Sequence, residues 1–151
     1  MECLTCLSNA GVRRISPGPT IFEGRYWFLE HAYPTALKGW LVIVLKRHAE
    51  ALHELTAEEF AELAAIQAQA TALLHTFLDC EKEYVMCLAE SEGFYHIHVH
   101  VIPKPRDLPP ELKATRIFGL LGSAERTIQA VPPDEVADFC NRLREAWCSE
   151  A

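Results

Sequence analysis

Three histidines stand at alternate positions in His96-Ile97-His98-Val99-His100-Val101-Ile102. Strict alternation of polar and apolar residues is the period of a β-strand with one buried face. Ile97, Val99 and Val101 then face a core, and the three imidazoles share the other side of a sheet. Neighbouring rings in such a row sit roughly 6.6 to 7 Å apart. Mutual repulsion is expected to lower their pKa values and keep most of them neutral near pH 7. Neutral imidazole can attack an electrophile or bind a metal, so a reaction using it should slow below about pH 6. A metal centre on His-x-His is the competing chemistry. The outer rings of a straight row, however, lie too far apart to share one ion easily at the ~2.0–2.1 Å of a zinc–nitrogen bond. A lone histidine facing sideways from a strand is usually a satisfied polar residue, but titrating groups are rarely clustered without use.

A second pattern is Cys3-Leu4-Thr5-Cys6. Cys-x-x-Cys is half of a zinc site. The chain has no second such pair, so further ligands must come from afar, and His48 and His96 are the candidates. A Cys2His2 site of this kind would tie the N-terminus to the middle of a sheet. The alternative is two spare thiols in a frayed terminus.

The elements that must position these groups can be read from periodicity. Residues 20–22 and 25–31 read as two strands around a turn at Glu23-Gly24. Residues 40–45 read as a central strand, being short, apolar and β-branched. A long helix follows, with Thr56 and Glu59 placed as a capping box and Leu55 and Phe60 as a hydrophobic staple. Its expected core stripe is Phe60, Leu63, Ala64, Gln67, Ala70, Leu74, Phe77 and Leu78, widened by Ile66 and Leu73. Residues 84–89 form another strand, 90–93 a turn, and 94–102 the histidine strand. Pro103, Pro105, Pro109 and Pro110 should break regular structure after it. Residues 111–131 are ambiguous, with one helical turn around Phe118. A last helix runs from Pro132 to about Trp147 on a stripe of Val136, Phe139, Cys140, Leu143 and Trp147. Consecutive strands with helices at intervals make an α+β fold, an antiparallel sheet of about five strands with a long helix and a C-terminal helix.

A length of 151 residues argues for one domain over 1–151. A net charge of −7 argues against broad binding to nucleic-acid backbones. Lys46, Arg47, Lys104 and Arg106 fall near the ends of the two key strands, so the local field there could differ from the global one. No apolar run approaches the ~18 residues of a membrane helix, and the start has no leader-like pattern. A cytoplasmic location is the expectation, with no membrane partner. Six cysteines in such a chain are not a disulfide framework. Cys87 and Cys140 read as small core residues.

Residues 96–102 resemble the signature of the histidine triad (HIT) superfamily of nucleotidyl hydrolases and transferases, alternating histidine and apolar positions and closing on two apolar residues. The similarity extends upstream to residues 39–48 and covers a core of about 1–105, leaving 106–151 as a C-terminal extension. The resemblance implies a HIT-like fold and an attack on the α-phosphate of a small-molecule nucleotide, a nucleoside phosphate or dinucleoside polyphosphate. His98 is then the nucleophile, His100 binds phosphate oxygens or assists the leaving group, and His96 is a zinc ligand or an orienting neighbour. Some branches of the superfamily, and the related galactose-1-phosphate uridylyltransferases, take a structural Zn2+ on residues that correspond here to Cys3, Cys6, His48 and His96. The resemblance also implies a homodimer.

The chain departs from that pattern in several places. Residues 84–89 lack the usual asparagine. Glu90-Ser91-Glu92-Gly93 replaces a longer phosphate-contacting loop, and its two carboxylates would repel a polyphosphate unless turned away. His31-Ala32-Tyr33 stands where an acidic residue usually holds the ribose, with Glu30 close by. Trp40 stands where a further histidine is common. These departures raise the alternative of a catalytically weak or inactive HIT-fold protein that binds nucleotides or regulates.

Overall fold

A computed structural model describes residues 2–150. Its strands are β1 (Phe22–Glu23), β2 (Trp27–His31), β3 (Leu41–Leu45), β4 (Lys82–Met86) and β5 (His98–Lys104). They form one antiparallel sheet in the order β1-β2-β3-β5-β4. The helices are α1 (Leu4–Asn9), α2 (Ala57–Leu78) and α3 (Pro133–Glu150), with 3-10 turns at Pro110–Leu112 and Ala114–Leu120. The expected α+β architecture is the one observed.

The capping box of α2 forms as its sequence specifies. Thr56 Oγ1 accepts from the Glu59 N–H at 3.1 Å, and Glu59 Oε1 accepts from the Thr56 N–H at 2.9 Å. The inward line of the helix keeps Ile66, Ala70, Leu73 and Leu74 of the expected stripe, with Leu63, Phe77 and Leu78 packed partly buried against the same core, but it begins at Glu59 rather than Phe60. Phe60 is 43% exposed and is no staple. With Leu63, Ala64 and Gln67 it lines a shallow surface groove. The reason is polar. Glu59 turns inward to take two bonds from Arg47, and Glu62 accepts the backbone N–H groups of Arg25, Tyr26 and Trp27 at the β1–β2 turn. Two carboxylates with that many partners outweigh the apolar moment of Phe60.

The histidine strand also differs in extent. Pairing with β3 runs from Val44↔His98 to Leu41↔Val101, and pairing with β4 carries β5 on to Lys104. Beyond Val101 the strand has a neighbour on one side only, where a proline is tolerated, so Pro103 sits inside it rather than ending it. Ile97 meets the last residue of β3, accepting the Leu45 N–H at 3.1 Å and donating to the Ala49 carbonyl at 2.8 Å, and residues 94–96 lie beyond the end of β3 and approach irregularly.

One face of the sheet carries the larger core, and a smaller cluster of Ala32, Trp40, Ile102, Leu108 and Ile117 forms apart from it. Ile97, Val99 and Val101 lie with Leu41, Ile43 and Leu45 of β3 and Leu73 and Leu74 of α2. The α3 stripe Val136, Phe139, Cys140, Leu143 and Trp147 is buried in the same cluster. Phe22 stacks on Trp147 with ring centroids 4.9 Å apart, anchoring α3 to the edge of the sheet. No helix among the described residues is long and apolar enough to cross a membrane.

Candidate functional site

The other face of the sheet carries the site. The register aligns Phe28, Val44 and His98 in one row across three strands, and Glu30, Val42 and His100 in the next. The alternation read from the sequence therefore puts His98 and His100 side by side, with ring centroids 5.0 Å apart. Both line a cavity of about 430 Å³, within the range of small-molecule sites. His96 is fully buried beside it and faces the N-terminal cysteines instead.

The hydrogen bonds assign each ring a tautomer. His98 Nδ1–H donates to the His96 carbonyl at 2.7 Å, which leaves the Nε2 lone pair free. Trp40 Nε1–H donates to His100 Nδ1 at 2.9 Å. Among the described residues neither Nε2 has a protein partner, and no buried side-chain nitrogen is left unpartnered. Both Nε2 atoms therefore open on the cavity. Burial lowers the pKa of all three histidines, taking His100 down to about 3. Repulsion, expected from the sequence as the cause, comes second to desolvation for His100, where the His98 charge adds to it.

Above the sheet the cavity is walled by segments far apart in sequence. Thr5, Ser8 and Asn9 come from α1, Ile15 and Ser16 from the loop after it, Leu88 to Ser91 and Phe94 from the loop before the histidines, Phe118 from the second 3-10 turn, and Leu121, Gly122, Ser123 and Arg126 from the segment after that turn. The four cations noted near the strand ends do not reach it. Lys46 pairs with Glu23, Arg47 with Glu59, Lys104 with Glu81 and Arg106 with Asp79. The cavity's cation is Arg126, which the sequence did not single out. Its Nη1 donates to the Phe118 and Leu121 carbonyls, leaving Nε and Nη2 without a partner among the described residues. Glu30 also lines the cavity, but Arg14 and Thr20 already hold both its oxygens. Of the acidic loop, Glu90 lines the cavity and Glu92 does not.

A second cluster lies under α1. Cys3 caps this helix with its sulfur accepting the Cys6 N–H at 3.3 Å, so the pair is not a frayed end. The donor atoms of Cys3, Cys6, His48 and His96 all lie within 4.8 Å of one another. Nδ1 of His96 is 3.5 Å from Cys3 Sγ and 3.4 Å from Cys6 Sγ, and His48 Nδ1 is 3.5 Å from Cys6 Sγ. Tetrahedral zinc with ordinary bond lengths would hold sulfur and nitrogen about 3.6 Å apart. The outer ring atoms fit as well. His96 Nε2–H donates to the Leu45 carbonyl at 2.7 Å and His48 Nε2 faces Glu50 at 3.5 Å, which turns both Nδ1 lone pairs to the cluster. The four residues could hold one divalent ion.

Comparison with known proteins places this geometry. The family model described as scavenger mRNA decapping enzyme C-term binding matches residues 12–114. No curated protein sequence matches the chain. A zinc-bound histidine triad family protein from Mycobacterium smegmatis superposes with a TM-score of 0.66 at 17% identity, covering 99% of this chain and 97% of that one. A histidine triad protein from Bradyrhizobium japonicum gives 0.67 at 20%, covering 84% and 88%. Plasmodium falciparum diadenosine triphosphate hydrolase gives 0.64 at 10%, covering 86% and 76%. At these identities the likeness to solved structures is one of fold.

Proposed function

This chain belongs to the scavenger mRNA decapping enzyme C-term binding family of the histidine triad superfamily, and from that premise we propose that it is a nucleotidyl hydrolase or transferase acting through His98. The observation that carries the reading is the His98–His96 bond. It parks the ring proton on Nδ1 and presents Nε2 as a bare lone pair on the cavity floor. Nε2 attacks the α-phosphorus of a nucleoside phosphate or dinucleoside polyphosphate, forming an N–P bond. The bond to the leaving group breaks, and its electron pair leaves with that group. Water, or a second phosphate, then attacks phosphorus and returns the pair to Nε2. His100 contributes its Nε2–H to a phosphate oxygen.

Cys3, Cys6, His48 and His96 hold a structural Zn2+, which cross-links α1 to the end of β3 and to the residues before β5. The protein partner is a second copy of the chain. β4 is an edge strand with Val85 40% exposed, and Phe60 is exposed on α2. Sedimentation of the Val85→Lys variant as a monomer beside a dimeric parent tests that pairing.

The test of the mechanism is a single turnover with nucleotide labelled at the α-phosphate. An acid-labile adduct on His98 is expected, and His98→Ala should lower turnover by at least about 10³-fold without loss of fold. Turnover at the parent rate in that variant would overturn the assignment. The pairing of the four strand-end cations away from the cavity favours a second reading, binding without turnover. Nucleotide bound stoichiometrically with no adduct would select it.

A further inference from the structure

Trp40 precedes β3, is fully buried and does not line the cavity. Its indole N–H lies 2.9 Å from His100 Nδ1, with the two rings edge to face at 83°. Phe118 packs edge-on against both rings, with centroids 5.3 Å from Trp40 and 5.0 Å from His100. An indole nitrogen donates and never accepts. His100 Nδ1 must therefore be the acceptor, and the single proton of the neutral ring sits on Nε2. A proton on Nδ1 would set two donors against each other in a dry contact, at the cost of a buried unsatisfied group.

We propose that Trp40 is a positioning residue that locks His100 as a neutral ring donating only through Nε2–H, so that His100 binds a phosphoryl oxygen and does not supply the leaving group's proton. A histidine or carboxylate in place of Trp40 could pass a proton to Nδ1 as Nε2 gave one up. An indole cannot, so a His100 that released its Nε2 proton would be left an imidazolate. The consequence is a specificity. As the N–P bond to His98 forms, the departing group carries off its electron pair without a proton from His100. Phosphates and aryl oxides, stable as anions, are then favoured over amines and alkoxides. This consequence rests on His98 being the nucleophile; the tautomer does not.

The experiment is a long-range proton–nitrogen spectrum of the full chain labelled with 15N-histidine, with the His100 signals assigned by their loss in His100→Asn. The expected result at pH 7 is a single Nε2–H tautomer for His100. A proton on Nδ1, or exchange between the two forms, overturns the proposal, and this readout needs neither turnover nor a variant at position 40. Trp40→Phe should give mixed tautomers and a kcat lowered roughly ten- to a hundredfold with KM within about threefold. Its preference for a nitrophenyl nucleotide ester over a nucleoside phosphoramidate should fall by a similar factor. Trp40→His, which keeps a ring N–H but can also accept, should restore rate without restoring that preference. An unchanged preference in either folded variant overturns the proposal. Absence of any turnover would sink the reading of His98 and leave the His100 spectrum to decide this one.

Discussion

Arg14 and Glu30 meet edge to edge, Nη1 to Oε1 at 3.1 Å and Nη2 to Oε2 at 3.0 Å; Glu30 lines the cavity and Arg14 stands behind it. Arg14 also donates to the Gly18 carbonyl, and Thr20 donates to Glu30 Oε1 at 2.6 Å. Glu30 is buried and Arg14 is partly exposed. Arg14→Gln should therefore cost stability mainly by leaving a buried carboxylate half-paired, about 1–3 kcal/mol. Arg14→Gln/Glu30→Gln should recover most of that loss. Urea denaturation of both variants checks it, and equal losses in the two would show that the pair is not the cause.

Acid should destabilise the fold through His31. Its Nδ1–H donates to the Ala32 carbonyl at 2.7 Å and its Nε2 accepts the Gly39 N–H at 2.9 Å. Burial holds its pKa down to about 4, with the Ala32 bond opposing. The unfolded chain binds this proton near the ordinary value of about 6.5. Between those values the unfolded state carries more protons, so stability falls as pH drops from about 6.5 to 4, by about 3 kcal/mol from this residue. Above that window the contribution is fully present. His31→Gln should flatten the pH dependence of unfolding there by about one proton.

Metal removal should loosen α1. Protein purified without a histidine tag is expected to carry one equivalent of zinc. Cys3→Ser should bring it below half and lower Tm by on the order of 5 °C. Thr5, Ser8 and Asn9 line the cavity from the same helix, so nucleotide affinity should fall with the metal. Cysteines alkylated freely in untreated protein would count against the site.

Arg126 and Glu90 should act in opposite directions on phosphate binding. Arg126→Ala removes the cavity's cation and should raise KM for a dinucleoside polyphosphate roughly tenfold or more. Glu90→Gln removes a repelling carboxylate from the rim and should lower it. The contrast should shrink as salt is raised, since exposed charges are screened over about 10 Å at 0.1 M.

What could be read from the chain alone was whatever depends on neighbours a few residues apart. Alternation put the three histidines opposite Ile97, Val99 and Val101. The Thr56–Glu59 spacing specified the start of α2, and the stripe from Val136 to Trp147 specified the buried face of α3. Cys-x-x-Cys carried its own ligand geometry. The outward turn of Phe60 depended instead on Arg47 and the β1–β2 backbone, which reach Glu59 and Glu62 from other elements. Pro103 stayed in β5 because β3 ends first. Each cation near the strand ends was claimed by a carboxylate that periodicity does not see, and Arg126 came to the cavity from a segment without a pattern. Trp40 became a donor to His100 only once 60 positions of chain had folded between them. Hydrogen bonds and ion pairs are made at contact distance, so the partners of a polar group belong to the tertiary structure, whereas the face a side chain takes within its own element is set by the local repeat of the backbone.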